Sequence, residues 1–155
     1  YIIYIIYMGN ICITGICSTV CQPKWSKYDN KTEELSFKGQ KLKCKVVSVY
    51  DGDTMRVVFP LNGKMYKWNC RLLGIDTPEL RTKNKREKEL AIMAKENLIK
   101  LVFNKIIHIH CGGWDKYGRL LVTPITKEEG NICGWLVKHK YAKSYDGGKK
   151  SSWKK

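Results

Sequence analysis

The chain has 155 residues, enough for one compact domain and a tail whose core needs no staple. Its 29 Lys and Arg against 14 Asp and Glu give a formal charge of +15, which favours a polyanionic partner, either nucleic acid or the anionic face of a membrane. Seven cysteines at positions 12, 17, 21, 44, 70, 111 and 133 show no Cys-x-x-Cys spacing, which argues against both a disulfide framework and a zinc site.

Residues 1–23 carry no charge and are rich in isoleucine and tyrosine. They are long enough to span a bilayer but are weakened as a span by Asn10, Thr14 and Ser18. No basic n-region marks a secretory signal. Met8-Gly9-Asn10-Ile11-Cys12 offers a second reading: a start at Met8, myristoylation of Gly9 and palmitoylation of Cys12, Cys17 or Cys21, with Ile13 where a Ser or Thr is expected. A third is an upstream extension with no role. Residues 24–40 turn polar and read as a linker.

Leu42, Cys44 and Val46 alternate with Lys43 and Lys45 and predict the first strand; Cys44, Cys70 and Cys111 read as small buried hydrophobes. Asp51-Gly52-Asp53-Thr54 is a turn signal, with Gly52 as a cheap source of positive φ, followed by a strand through Met55, Val57 and Phe59. Asn62-Gly63 predicts a hairpin turn into a strand with Tyr66, Trp68, Cys70 and Leu72 on one face and Lys67, Asn69 and Arg71 on the other. Asp76-Thr77-Pro78-Glu79 follows. By itself it could be a helix start, with Asp or Thr as cap and Pro in the first position.

If these strands form one meander, Asp53, Asp76 and Glu79 share a rim with Arg71. Carboxylates without Cys or His suit a hard cation such as Ca²⁺, and a guanidinium beside them offers a planar fork to phosphate oxygens. Residues 81–103 show a helical stripe of Leu90, Met93 or Ala94, Leu98 and Leu101, predicted to pack on the sheet. Two more strands are expected from Ile106 to Cys111 and Arg119 to Ile125. His108 and His110 share a strand face as zinc ligands would, but no third ligand accompanies them. A short helix carries Ile132, Trp135, Leu136 and His139, and the tail from Lys138 holds seven lysines.

Asp115-Lys116-Tyr117-Gly118-Arg119 is another turn taken alone. In order with DGDT and RLLGIDTPE, it makes residues 43–145 closely resemble the staphylococcal nuclease (thermonuclease-like) family. The resemblance implies a mainly β fold with helices (α+β): a five-stranded antiparallel OB-like barrel, a long helix after the third strand and a short C-terminal helix. It implies Ca²⁺ on Asp53, Asp76 and the Thr77 backbone oxygen, with Arg71, Glu79 and Arg119 as catalytic residues. Lys116 and Tyr117 match positions near a terminal phosphate, and Tyr145 matches a position that stacks on a base. The expected activity is Ca²⁺-dependent hydrolysis of phosphodiester bonds in DNA and/or RNA, single-stranded or as loosened duplex, by a monomer. The alternative is a non-catalytic OB module binding nucleic acid or protein at a membrane. The expected organisation is an anchor or lipidation segment at 1–23, a linker at 24–40, the barrel domain at 41–148 and a basic tail at 149–155. Membrane association rests on Gly9 and Cys12 or on a hydrophobic anchor; without it the chain is expected to be cytoplasmic or secreted.

Overall fold

The structure is a computed structural model that describes residues 23–148 and 150–153. The anchor and acylation readings at Gly9 and Cys12, and the tail residue Lys149, lie outside the described residues. Among the described residues no helix is long and apolar enough to cross a membrane. The chain divides into two units between Leu35 and Ser36. Among the described residues of the first, a 3-10 turn at Trp25–Lys27 brings Trp25 edge-on to Tyr28.

The second unit carries strands β1 (Lys41–Val49), β2 (Thr54–Leu61), β3 (Lys64–Leu72) and β4 (Ile75–Asp76), then helix α1 (Lys85–Val102). Strands β5 (Ile106–Trp114), β6 (Leu120–Thr126) and β7 (Gly130–Asn131), helix α2 (Ile132–Lys138) and β8 (Lys143–Ser144) complete it. The main sheet runs β3-β2-β1-β5-β6-β7, and β3 also pairs with β6, which closes five strands into the OB-like barrel. The closing pair departs from the all-antiparallel expectation. It is parallel, with Cys70, Arg71 and Leu72 beside Leu120, Leu121 and Val122.

Alternation builds the core. Met55, Val57 and Phe59 from β2 and Cys70 and Leu72 from β3 point inward with Val46, Ile109, Leu120 and Val122. Asn62 and Gly63 both take positive φ, 49° and 76°, the geometry a tight hairpin with right-handed twist requires. Phe37, within the stretch expected to be linker, is buried edge-on to Phe59 and Trp68. Burial pushes the Cys44 and Cys133 thiols up to about 12 and raises Cys70 and Cys111 as well, so these sulfurs serve as small apolar fillers.

Helix α1 begins at Lys85, later than the start at residue 81 expected from the sequence. Its cap is Asn84, whose side chain accepts from the Glu87 N–H, and Thr82 Oγ1 donates to Glu87 Oε2. Asp76, Thr77 and Glu79 are therefore free of capping duty. The buried stripe is Ala91, Ala94, Leu98 and Val102, while Met93 is exposed. Small Ala91 and Ala94 let the helix approach the barrel closely, a choice that hydrophobic periodicity alone does not distinguish.

Candidate active site

The turn joining β1 to β2 sets the first carboxylate. Asp51 Oδ1 accepts from the Asp53 N–H at 3.1 Å, and the Tyr50 N–H donates to the Thr54 carbonyl at 2.8 Å, which clamps the turn. Contrary to expectation, the φ of Gly52 is not positive; the turn needs glycine there for space. A Cβ at this position would lie 2.9 Å from Ala94 Cβ and 3.0 Å from Thr77 Cβ, so turn, helix α1 and the Asp76-Thr77 segment meet at a hydrogen atom.

Asp53, Asp76 and Thr77 are all buried. Arg71 joins the two carboxylates. Its Nη1 donates to Asp53 Oδ2 at 2.6 Å, its Nη2 to the Ile75 carbonyl at 3.3 Å, and Nη2 stands 3.8 Å from Asp76 Oδ1. The pairing of β2 with β3 places Arg71 opposite Thr54, so the hairpin register delivers this contact. Burial, then the charge of Asp51, pushes the Asp53 carboxyl up to about 6; Arg71 and the Thr54 hydroxyl work in the other direction.

Arg119 reaches the same rim through Thr54. Its Nε donates to Asp115 Oδ2 at 2.7 Å, its Nη1 reaches Thr54 Oγ1 at 3.5 Å, and its guanidinium lies 5.5 Å from the Tyr117 ring centre. Thr54 Oγ1 in turn donates to Asp53 Oδ1 at 3.0 Å, linking the two arginines through one hydroxyl and one carboxylate. Asp115 also accepts from the Tyr117 and Arg119 backbone N–H groups. Burial alone would raise its carboxyl, but these bonds and the Arg119 charge outweigh it and hold the group below the usual carboxylate range.

Lys150 is an addition that the diffuse basic tail does not foretell. Its ammonium stands 2.9 Å from Asp76 Oδ1 and 2.8 Å from Glu79 Oε1. Burial works against its charge, but the bond to Glu79 and the charges of Asp76 and Glu79 prevail and raise the lysine above its ordinary value. Trp153 Nε1 donates to Asp76 Oδ2 at 3.4 Å, and Lys143 caps the same ring at 4.2 Å. Tyr145 lines a cavity of ≈ 360 Å³ with Gly74, Asp76, Ser144, Asp146 and Ser151, and its hydroxyl donates to the Gly148 carbonyl. Lys116 and Tyr117 stand together on the Asp115 turn, with Tyr117 71% exposed. Glu79 is largely exposed as well, its side chain at 62%. Of the residues singled out in the sequence, Asp53, Asp76, Arg71 and Arg119 thus form one connected rim, Glu79 joins it through Lys150, and Lys116 and Tyr117 sit at its edge.

The donor set suits a hard cation. Asp76 Oδ1 is buried without a well-directed hydrogen bond, and the ammonium beside it meets it as a charge. Both buried carboxylates offer oxygen, the donor a hard cation prefers. Among the described residues no group of three or more His, Cys, Asp or Glu side chains converges on one point, so two carboxylates leave the rest of an ion's shell to carbonyls, water or substrate.

A closed OB-like barrel with a helix packed at its turn and two arginines meeting acids at its rim defines the class of molecule. Residues 69–155 match the family described as "Staphylococcal nuclease homologue", and the chain belongs to that family. It is also 34% identical over 124 residues to the uncharacterized protein MJ1439 of Methanocaldococcus jannaschii, covering 65% of this chain and 58% of that relative. The chain therefore spans little more than half of the relative's length.

Proposed function

We propose that the chain is a Ca²⁺-dependent nuclease that hydrolyses phosphodiester bonds of DNA and/or RNA. The observation that carries this reading is the guanidinium of Arg71 held between two buried carboxylates, Asp53 and Asp76, with Arg119 reaching the same threonine that bonds Asp53. Buried acids without a full set of partners are costly, and such an arrangement is retained where charge must be handled.

Asp53, Asp76 and the Thr77 carbonyl would hold Ca²⁺, which when bound supplies a Lewis acid for a nonbridging phosphate oxygen. Arg71 and Arg119 bind the remaining oxygens in forked geometry and stabilise charge as it grows on them. Glu79 Oε orients the attacking water and accepts its proton. Lys116 and Tyr117 contact a terminal phosphate, and Tyr145 stacks on a base. The test is hydrolysis of single-stranded DNA and RNA with Ca²⁺ and with chelator. Ca²⁺-dependent cutting is expected, and full activity in chelator overturns the metal assignment.

One observation favours a second reading, a binding module that cuts nothing: the Lys150 ammonium between Asp76 and Glu79 supplies a cation of the chain's own. Binding without hydrolysis in that same assay would select it. For the amino terminus we propose an acylated membrane anchor, supported by Gly9 and Cys12. If a chain started at Met8 and carrying Gly9→Ala still pellets with membranes, myristoylation is not the anchor.

A further inference from the structure

Strands β1, β2, β3, β5 and β6 contain not one Asp or Glu, although the chain has 14. Basic side chains instead occupy outward positions on β1, with Arg56 on β2 and Lys67 on β3, while the outward positions of β6 are Leu121, Thr123 and Ile125. Lys41, Lys43 and Lys45 are exposed along β1, with His110 and His108 exposed directly opposite Lys41 and Lys43 on β5. Lys45 continues across Val58 to Lys67, and Arg56 stands further along β2, bonded to Asn69. Among the described residues no carboxylate pairs with Lys41, Lys43, Lys45 or Lys67. A wall with no acid to neutralise it projects a positive field into solvent.

We propose that this outer wall is a docking surface for the phosphate backbone of double-stranded nucleic acid. Alternate residues on a strand lie roughly 6.6 Å apart, so the β1 lysines repeat at a spacing comparable with that of successive phosphates. His108, His110, Asn69 and Thr123 interleave them as hydrogen-bonding groups, which suits phosphate and sugar oxygens. The residues paired with Lys41, Lys43 and Lys45 are His110, His108, Ile106 and Val58, with no tyrosine, tryptophan or phenylalanine among them, and exposed Tyr66 and Trp114 lie on β3 and at the last position of β5; the β1 lysines thus give unstacked bases no platform, and a duplex fits better than a single strand. The binding is to backbone and reads no sequence. The wall shares no residue with the candidate active site, so binding here is separable from cutting.

The test is fluorescence anisotropy of the full chain on a short labelled duplex of mixed sequence, in chelator, over a series of salt concentrations. Anisotropy reads binding and a gel of the recovered duplex reads cutting, so failure of this proposal and failure of the nuclease assignment are read separately. Lys41→Gln, Lys43→Gln and Lys45→Gln combined should weaken binding by at least about tenfold at low salt and make the log–log salt slope shallower by about 0.9 for each phosphate no longer neutralised. Lys83→Gln, Lys85→Gln and Lys88→Gln combined remove equal charge beside α1 and should change both less. If the triple wall variant fails a thermal-melt check, Lys43→Gln with Lys67→Gln asks the same question across three strands. Equal losses for the wall and control triples, or an unchanged slope, overturn the proposal. So does a wall variant that keeps duplex affinity but no longer binds phosphatidylserine vesicles, which would make the surface a membrane-binding face.

Discussion

At the rim of the barrel Arg71 lies 2.6 Å from Asp53 and Arg119 lies 2.7 Å from Asp115, whereas on its outer wall Lys41, Lys43 and Lys45 stand opposite His110, His108, Ile106 and Val58, and no carboxylate pairs with them among the described residues. The rim uses arginine, whose rigid fork holds direction, and fixes each one with carboxylates, a carbonyl or a hydroxyl. The wall uses lysine, a mobile point charge on a flexible stem. Fixed charge is suited to a transition state, where a small displacement is costly. Mobile charge is suited to a long polymer that must be held without a unique register, and its effect falls with salt.

The largest effect should come from loosening the rim without removing its charge. Arg71→Lys keeps a cation near Asp53 and replaces the fork with a point donor, so binding of nucleic acid should survive while single-turnover cutting falls on the order of 100- to 1000-fold. Glu79→Gln should likewise depress turnover more than affinity. Unchanged rates in both would place the chemistry away from this rim.

Next in size is the close approach that brings the rim together. Gly52→Ala forces a methyl group against Ala94 and Thr77, both held by packing, and overpacking of this kind typically costs about 1–3 kcal/mol. Urea unfolding should show that loss. Because Thr77 is the neighbour displaced, Ca²⁺ affinity measured by calorimetry should fall in the same variant. A stable protein with unchanged affinity would mean that the segment yields freely and that the rim is no more fixed than the wall.

These two regions are unequally legible in the sequence. Asp53, Arg71, Asp76 and Arg119 can be found there because turns, strand alternation and motif order are local patterns, and the structure joins these four residues through hydrogen bonds and ion pairs. The barrel, its hairpins and two helices are legible for the same reason. What escapes depends on neighbours distant in the chain. The parallel closure of β3 on β6 joins segments fifty positions apart, Gly52 answers to Ala94, and Lys150 answers to Glu79. Asn84 takes the cap because Thr82 and Glu87 complete a bonded set around it, while Asp76, followed by buried Thr77, is drawn into strand pairing with β8. The acid-free wall is present in the composition of each strand, but its meaning requires knowing which strands are neighbours.

A smaller effect belongs to Lys150. Its side chain is 47% exposed, so its bond to the buried Asp76 is screened, and a partly exposed pair contributes up to about 1 kcal/mol. Lys150→Ala should therefore tighten Ca²⁺ binding by up to about fivefold in calorimetry, by removing a competing cation. Equal affinity in the two proteins would show that the lysine leaves the rim at no cost.

The smallest effect is expected on the wall itself, and it is the one that separates the two regions most cleanly. Lys43 is exposed, pairs with no carboxylate among the described residues and stands across from His108, so its charge contributes no attraction that folding could lose. Surface substitutions away from caps, pairs and strained backbone usually stay within about 0.5 kcal/mol of neutral. Lys43→Gln should therefore leave urea unfolding within that margin, and relief from the field of Lys41 and Lys45 acts toward stabilisation, most visibly at low salt. Arg71→Ala provides the contrast. It strands the buried Asp53 carboxylate, and removing one partner of a buried pair costs about 3–5 kcal/mol, an upper figure here because the arginine retains some exposure. Measured side by side, a large loss at Arg71 and none at Lys43 is the expected pair. A comparable loss at Lys43 would mean that the wall's lysines are structural, with their charges balanced in the fold and not held ready for a polyanion.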